Sequence, residues 1–335
     1  MGDRIFKEGI MKPNHDVRKI ITVSPARLGD TIFCTPLLRM MKQYFPLAGI
    51  DVIALSPVAA AVLEHNPNIH AVFLEPDQST LDKIKKDYDL AINMHLSPRA
   101  NEYLKAFDAE YLEYSDETLE GLHQTEKLLR YFSNIFEFDL DGFDPKYDLF
   151  PQAENHEKIR KIFKENNIVD DDIVIGYHMG CHGIAKKHTR FWKNLTHRKA
   201  WPLKNFIKLS KKLKNDKRVR IIITGSKEEI KLDERFCKKV PGTINLIDKT
   251  SVLDLAALMT YLNLFITNDT GALHIACSTD VPLIGLFGPT DPKATGPYPI
   301  TDNRIILRKN KLSDILPDEV IETIRKMKII NDTKH

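Results

Sequence analysis

The sequence predicts an α/β protein built from two doubly wound parallel sheets, and three observations carry that expectation. Short apolar runs alternate with amphipathic stretches along nearly the whole chain, as in βαβ units whose strands are covered on both faces. The alternation pauses in a turn-rich segment, Phe138–Gln152 (FDLDGFDPKYDLFPQ), and then restarts. The length, 335 residues, suits two domains of ordinary size. The expected division is 1–152, 153–310, and 311–335 as a closing helix and tail.

In the first half, strands are expected at Lys19–Ser24, Asp51–Leu55, Ala71–Leu74, Leu90–Asn93 and Glu110–Tyr114, each a compact apolar run of strand length. Helical periodicity falls between them at Thr31–Tyr44, Val58–His65, Leu81–Lys86 and Pro98–Phe107, and again at Leu122–Phe136. After a helix over Glu154–Asn166, strands are expected at Ile173–His178, Arg218–Thr224, Ile244–Ile247, Leu264–Thr267 and Leu283–Phe287. Helices fill the gaps at Leu203–Leu213, Glu228–Lys238, Val252–Thr260 and Gly271–Ser278, and Ser313–Met327 closes the chain. Neither half carries GxGxxG after its first strand, which disfavours a nicotinamide-dependent dehydrogenase.

Composition narrows the classes further. With 42% apolar and 28% charged residues the chain is globular rather than disordered. Cys34, Cys181, Cys237 and Cys277 are scattered with no CxxC pair, so neither a disulfide framework nor a zinc ribbon is expected and a reduced, cytoplasmic setting is. The opening MGDRIFKEGIMKPNHD lacks the apolar core of a secretory signal, and no run approaches the length of a membrane span. The net charge of +3 conceals an asymmetry: Ile173–Asn215 holds eleven Lys or Arg and no Asp or Glu. Its loop portion, Lys186–Lys199, follows a strand's carboxyl end, where open α/β sheets take ligands, and is read as facing an anion.

Four motifs are candidates for chemistry. In Ala26–Pro46 (ARLGDTIFCTPLLRMMKQYFP), Asp30 follows a strand and a tight turn through Gly29. It reads either as an N-cap or as a base, and the positive end of a helix would weaken it as a base. Pro36 is expected near the first turn of the same helix. In Phe265–Tyr298, Asn268-Asp269-Thr270-Gly271 passes from strand to helix with His274 one turn on, a strand–turn–helix unit suited to phosphate. Asp269 reads also as an N-cap, and His274 as a core histidine. Lys199-Ala200-Trp201-Pro202 ends the basic loop, with Pro202 near the first helical position and Lys199 able to meet a diphosphate. Thr224–Glu229 (TGSKEE) places an acid where ribose hydroxyls are bound in nucleotide-binding halves. His178, Cys181 and His182 lack paired zinc spacing, so no metal is expected.

Together RLGDTIFCTPLLR, KAWP and NDTGALHIA…VPLIGLFGPTDP, in that order and spacing, resemble glycosyltransferase family 9, the heptosyltransferases of lipopolysaccharide core synthesis. The resemblance covers roughly Lys19–Tyr298. It implies a GT-B fold, two Rossmann-like domains facing across a cleft, with acceptor bound by the first and sugar nucleotide by the second. It further implies inverting transfer without a metal or cofactor, with ADP-heptose as co-substrate and a phosphorylated glycolipid as acceptor. Residue by residue it makes Asp30 the base, Lys199 the contact to the donor diphosphate, and Asp269, Thr270, Gly271 and His274 the donor loop. Glu228 or Glu229, the latter preferred, reaches the nucleoside, and Thr196 is set as a hydroxyl donor. The chain departs from the family in carrying His178-Met179-Gly180 for the more usual His-Pro-Gly, and in a longer, more basic Cys181–Arg198. The basic loop suits peripheral contact with the anionic inner membrane face, and no nucleic-acid partner is expected. The competing readings are a GT-B nucleotide-sugar epimerase and a non-enzymatic anion- or RNA-binding protein.

Overall fold

The computed structural model describes residues 17–115, 119–181 and 199–330. These fall into two compact units, within Met1–Phe150 and Pro151–His335.

The first unit runs β1 (Lys19–Ser24), α1 (Leu28–Tyr44), β2 (Gly49–Ala54), α2 (Pro57–Leu63), β3 (Ala71–Leu74), α3 (Gln78–Ile84), β4 (Leu90–Asn93), α4 (Pro98–Lys105), β5 (Glu110–Glu113) and α5 (Gln124–Phe136). Its strands form one sheet in the order β3-β2-β1-β4-β5, every pair parallel. Alternate residues of β1 serve opposite faces, as the period of two requires. Ile20 packs with Leu37, Leu38 and Met41 of α1 and Phe132 of α5, whereas Ile21 and Val23 pack with Leu81 of α3 and Leu104 of α4.

Pro36 does not sit in the first turn of α1 as expected; it is the ninth residue of a seventeen-residue helix. Proline offers no N–H, so the carbonyl four residues back loses its helical donor. Here that carbonyl belongs to Ile32, and the Thr35 hydroxyl donates to it at 2.8 Å. The same hydroxyl accepts the Asp148 N–H at 3.0 Å. Arg39 of α1 pairs with the Asp148 carboxylate and donates to the Lys146 carbonyl at 3.0 Å. Its guanidinium also lies 5.3 Å from the centre of the Phe143 ring. The turn-rich segment that reads as a boundary is thus tied to α1 over residues 143–148.

The second unit runs α6 (Ala153–Glu165), β6 (Ile173–His178), α7 (Leu203–Leu213), β7 (Val219–Thr224), α8 (Ile230–Lys239), β8 (Ile244–Asn245), α9 (Val252–Met259), β9 (Leu264–Asn268), α10 (Gly271–Cys277), β10 (Leu283–Phe287), α11 (Pro292–Thr295), β11 (Arg304–Arg308) and α12 (Pro317–Lys326). Its parallel sheet has the order β11-β10-β9-β6-β7-β8. β11 and the one-turn α11 have no counterpart in the sequence reading. β11 is an edge strand whose side chains are half-buried or exposed, so its apolar signal is short and flanked by arginines. Tyr177 of β6, Phe206 and Leu209 of α7, Phe236 of α8 and Ile324 of α12 share one core. Among the described residues no helix is long and apolar enough to cross a membrane.

Candidate functional site

In each sheet the strand order reverses once, between β1 and β4 and between β6 and β9. Open α/β sheets bind ligands outside the carboxyl ends of the strands at such a switch point. The sequence-predicted residues among the described ones sit at these two edges.

At the second unit's edge, Asn268 at the end of β9 joins three segments. Its amide donates to the carbonyls of Met179 at 2.8 Å and Gly180 at 3.2 Å, and its side-chain oxygen accepts the Trp201 N–H at 2.9 Å. Trp201 is 2% exposed; its indole donates to the Ile315 carbonyl at 2.9 Å and meets Phe206 edge-on with ring centres 4.7 Å apart. Burying a ring of this size contributes about 4 kcal/mol before entropy is charged. This anchoring presents Lys199, two residues earlier, beside the β9 end, where its ammonium lies 3.1 Å from the Asp269 carboxylate. Asp269 is not the N-cap: Thr270 occupies that position, and its hydroxyl makes no capping bond. Gly271 opens α10, and His274, one turn on, is 4% exposed. Pro202 likewise is the N-cap residue of α7 rather than its first helical residue.

The acids after β7 part company. Glu228 is exposed, whereas Glu229 is 5% exposed. Glu229 Oε2 accepts the Ser226 N–H at 2.6 Å, and Ser226 accepts in return as part of a capping box. The other carboxylate oxygen, Oε1, lies 3.7 Å from His178 Nε2. Burial pushes the His178 pKa down, with Glu229 opposing. A Cβ at Gly180 would come within 1.4 Å of Glu229 Oε1 and one at Gly225 within 2.7 Å of Oε2, so both glycines leave room for this carboxylate. The Cys181 thiol registers the whole set: burial pushes its pKa up to about 11, Glu229 and Asp269 add to the rise, and Lys199 opposes it. Thr196 and the basic run over residues 182–198 lie outside the described residues, as does His182. No group of three metal-ligating side chains occurs among the described residues.

At the first unit's edge, Asp30 is the third residue of α1, and Arg27 holds the N-cap position. The helix therefore begins three residues earlier than its apolar periodicity indicates, and the capping reading of Asp30 is corrected. Its carboxyl is held above the usual range by burial, with Arg27 pulling the other way. That direction is opposite to the one the helix end alone would impose. His95, just past β4, belongs to the same edge and was not singled out from sequence. Burial pushes its pKa down to about 4 against a backbone hydrogen bond with Ser24. Nothing in the spacing of a lone histidine after a strand signals this placement.

Elsewhere in the second unit a groove runs between α6 and β8, lined by Lys158, Lys161, Asn166 and Lys249. Those lysines are engaged, with Asp254 at 2.5 Å, Glu165 at 3.9 Å and the Asn245 carbonyl at 2.9 Å respectively.

Two Rossmann-like units, the second with an acid, a lysine and a glycine-started helix at its switch point, are the arrangement in which open α/β proteins take ligands. A profile of glycosyltransferase family 9 (heptosyltransferase) matches residues 120–319. The chain belongs to that family, and it is a glycosyltransferase. It is 25% identical over 324 residues to lipooligosaccharide heptosyltransferase 2 of Haemophilus influenzae, covering 86% of this chain and 88% of the other. Among solved structures, a glycosyltransferase family 9 protein from Veillonella parvula superposes with a TM-score of 0.80 at 20% identity, over 93% and 97% of the two chains. The Escherichia coli ADP-heptose LPS heptosyltransferase II gives 0.71 at 18%, over 92% and 98%. The fold is GT-B, as the resemblance implied.

Proposed function

We propose that this chain transfers heptose from ADP-heptose to a phosphorylated lipopolysaccharide core acceptor, with inversion and without a metal. The observation that carries the reading is the gathering of Lys199, Asp269 and Glu229 around Cys181, from segments far apart in sequence, at the second sheet's switch point. The names of the Haemophilus and Escherichia coli relatives support heptose as the sugar and ADP as its carrier.

Lys199 and the backbone amides from Thr270 onward neutralise the donor diphosphate, and Asp269 holds the ammonium in place. α10 is only seven residues long, so the lysine supplies the larger share. Glu229 accepts from the ribose, and Gly271 lets the diphosphate approach the main chain. Asp30 takes the proton of the acceptor hydroxyl as its oxygen attacks the anomeric carbon and ADP departs. Its half-buried carboxyl, with a raised proton affinity, suits that task better than an exposed aspartate. The chain acts at the cytoplasmic side, at the anionic membrane face that carries its acceptor.

The test uses ADP-heptose, with lipooligosaccharide from a strain lacking this gene as acceptor. Asp30→Ala abolishes turnover while ADP still binds by calorimetry. Lys199→Ala weakens ADP about tenfold, as expected for loss of one charge-assisted contact. Excess chelator leaves the rate unchanged, and NMR of the product gives the inverted anomer. Full activity in Asp30→Ala removes the base, and loss of turnover with chelator removes the metal-free route. Release of an altered free nucleotide sugar without acceptor replaces transfer by epimerisation.

A further inference from the structure

The carboxyl end of β4 holds a side-chain network whose polarity one main-chain group decides. Asn93, the last residue of β4, is fully buried, and its Oδ1 accepts the His95 N–H at 3.2 Å. A main-chain N–H only donates, so this contact fixes Oδ1 on that side of the amide and turns Nδ2 the other way. Nδ2 donates to Asn101 Oδ1, and the Tyr111 hydroxyl donates to the same oxygen at 2.9 Å. Reversing the Asn101 amide would set two nitrogen donors against each other. Reversing both amides would set the His95 N–H against Asn93 Nδ2. Asn101 Oδ1 is therefore filled by two donors, and its Nδ2 faces away from them. Among the described residues that Nδ2 has no hydrogen-bond partner, and it is not sealed from solvent.

Asn101 is the fourth residue of α4 and half-buried, and β4 flanks the reversal of strand order in the first sheet. On the other side of that reversal, after β1, Asp30 stands in the first turn of α1. Glu113 ends the neighbouring strand β5. Burial raises the Tyr111 pKa, the Asn93 amide opposes the rise, and the Glu113 carboxylate adds to it, which places Glu113 beside the same hydroxyl. One tyrosine thus has an amide donor and a carboxylate acceptor as neighbours at the carboxyl edge of the sheet. A sugar hydroxyl, which accepts one hydrogen bond and donates another, matches that pair. We infer that Asn101 Nδ2 and the Glu113 carboxylate bind a hydroxyl of the acceptor sugar, Asn101 donating and Glu113 accepting, and that Asn101 is a specificity-determining residue. This rests on the first unit being the acceptor-binding unit.

The experiment is the transfer assay with ADP-heptose and lipooligosaccharide from a strain lacking this gene, native and chemically dephosphorylated. Asn101→Asp keeps an oxygen for Asn93 and Tyr111 and removes the N–H donors. It raises the acceptor KM about tenfold with kcat little changed, and leaves ADP affinity by calorimetry at the wild-type value. Asn101→Ala raises KM as well and melts lower than Asn101→Asp, because it also strands the Asn93 and Tyr111 donors. Glu113→Ala raises the acceptor KM in the same way. The effect of Asn101→Asp is equal on native and dephosphorylated acceptor, because the group bound is a hydroxyl. A wild-type KM in Asn101→Asp makes the amide merely structural and overturns the inference. Asn101→Asp melting below Asn101→Ala overturns the polarity of the network and the inference with it. An effect that vanishes on dephosphorylated acceptor assigns the site to a phosphate and overturns the hydroxyl. In each of these cases the wild type still transfers heptose; failure of the wild type to transfer removes the acceptor reading itself and this site with it.

Discussion

Asn268→Ala tests the architecture on which the donor site stands. Asn268 is fully buried and makes three hydrogen bonds to main-chain groups, at 2.8, 3.2 and 2.9 Å. Its removal strands the Met179 and Gly180 carbonyls and the Trp201 N–H. At about 1 kcal/mol net for each bond the loss is about 3 kcal/mol, and more if water does not reach the vacated space. That is a large part of the stability of an ordinary domain. The same change releases the loop that presents Lys199, and reordering one long side chain on binding costs about 1 kcal/mol, or roughly fivefold in ADP affinity. Urea unfolding followed by tryptophan fluorescence reads the first effect as a midpoint lower by about 1 M or more, and calorimetry with ADP reads the second. A variant with the wild-type midpoint and wild-type ADP affinity would refute the idea that Asn268 ties the three segments together.

Three other outcomes follow from the same geometry. Burial raises the Asp30 pKa above its ordinary 3.8, so the folded state holds the proton more tightly and ionisation at neutral pH costs stability. Asp30→Asn therefore melts higher than wild type at pH 7, and the gap closes as the pH falls below 3.8, where the carboxyl is protonated in both states; a lower melting temperature at pH 7 would contradict the burial argument. Thr35→Val leaves the Ile32 carbonyl and the Asp148 N–H without their partner and costs about 2 kcal/mol in chemical denaturation, whereas Thr35→Ser stays near wild type. Gly180→Ala drives its new methyl into Glu229 Oε1 and lowers ADP affinity, while Gly142→Ala, at a positive-φ turn with open space around it, affects stability alone.

The motifs around Asp30 and Asp269 were legible as candidates because each combines a strand end, a turn and a helix start within a few residues, and Lys199 because it closes a basic loop just ahead of a helix. Glu229 could be narrowed only to a pair with Glu228, since two adjacent acids in a first turn have the same local chemistry. Burial separates them: one is sealed behind Gly180 and Gly225, and the other faces solvent. His178 looked like half of a weak metal pattern, and its proximity to Glu229 exists only because β6 and β7 pair in parallel from Ile173↔Val219 to His178↔Thr224. Pro36 suggested a helix start because proline is at home there; Thr35 lets it stand mid-helix by serving the carbonyl that proline cannot.

The amino-acid order by itself determined that there would be two parallel α/β sheets, because continuous apolar runs cannot be buried unless helices cover both faces. It also marked candidate phosphate loops, through glycine and threonine after β9 and a lysine ahead of α7. Tertiary structure decided which of those groups meet, which carboxylates are held out of water and which way their proton affinities move. Those properties depend on distances between residues tens of positions apart and on how much solvent remains around them, and neither quantity is written in local sequence.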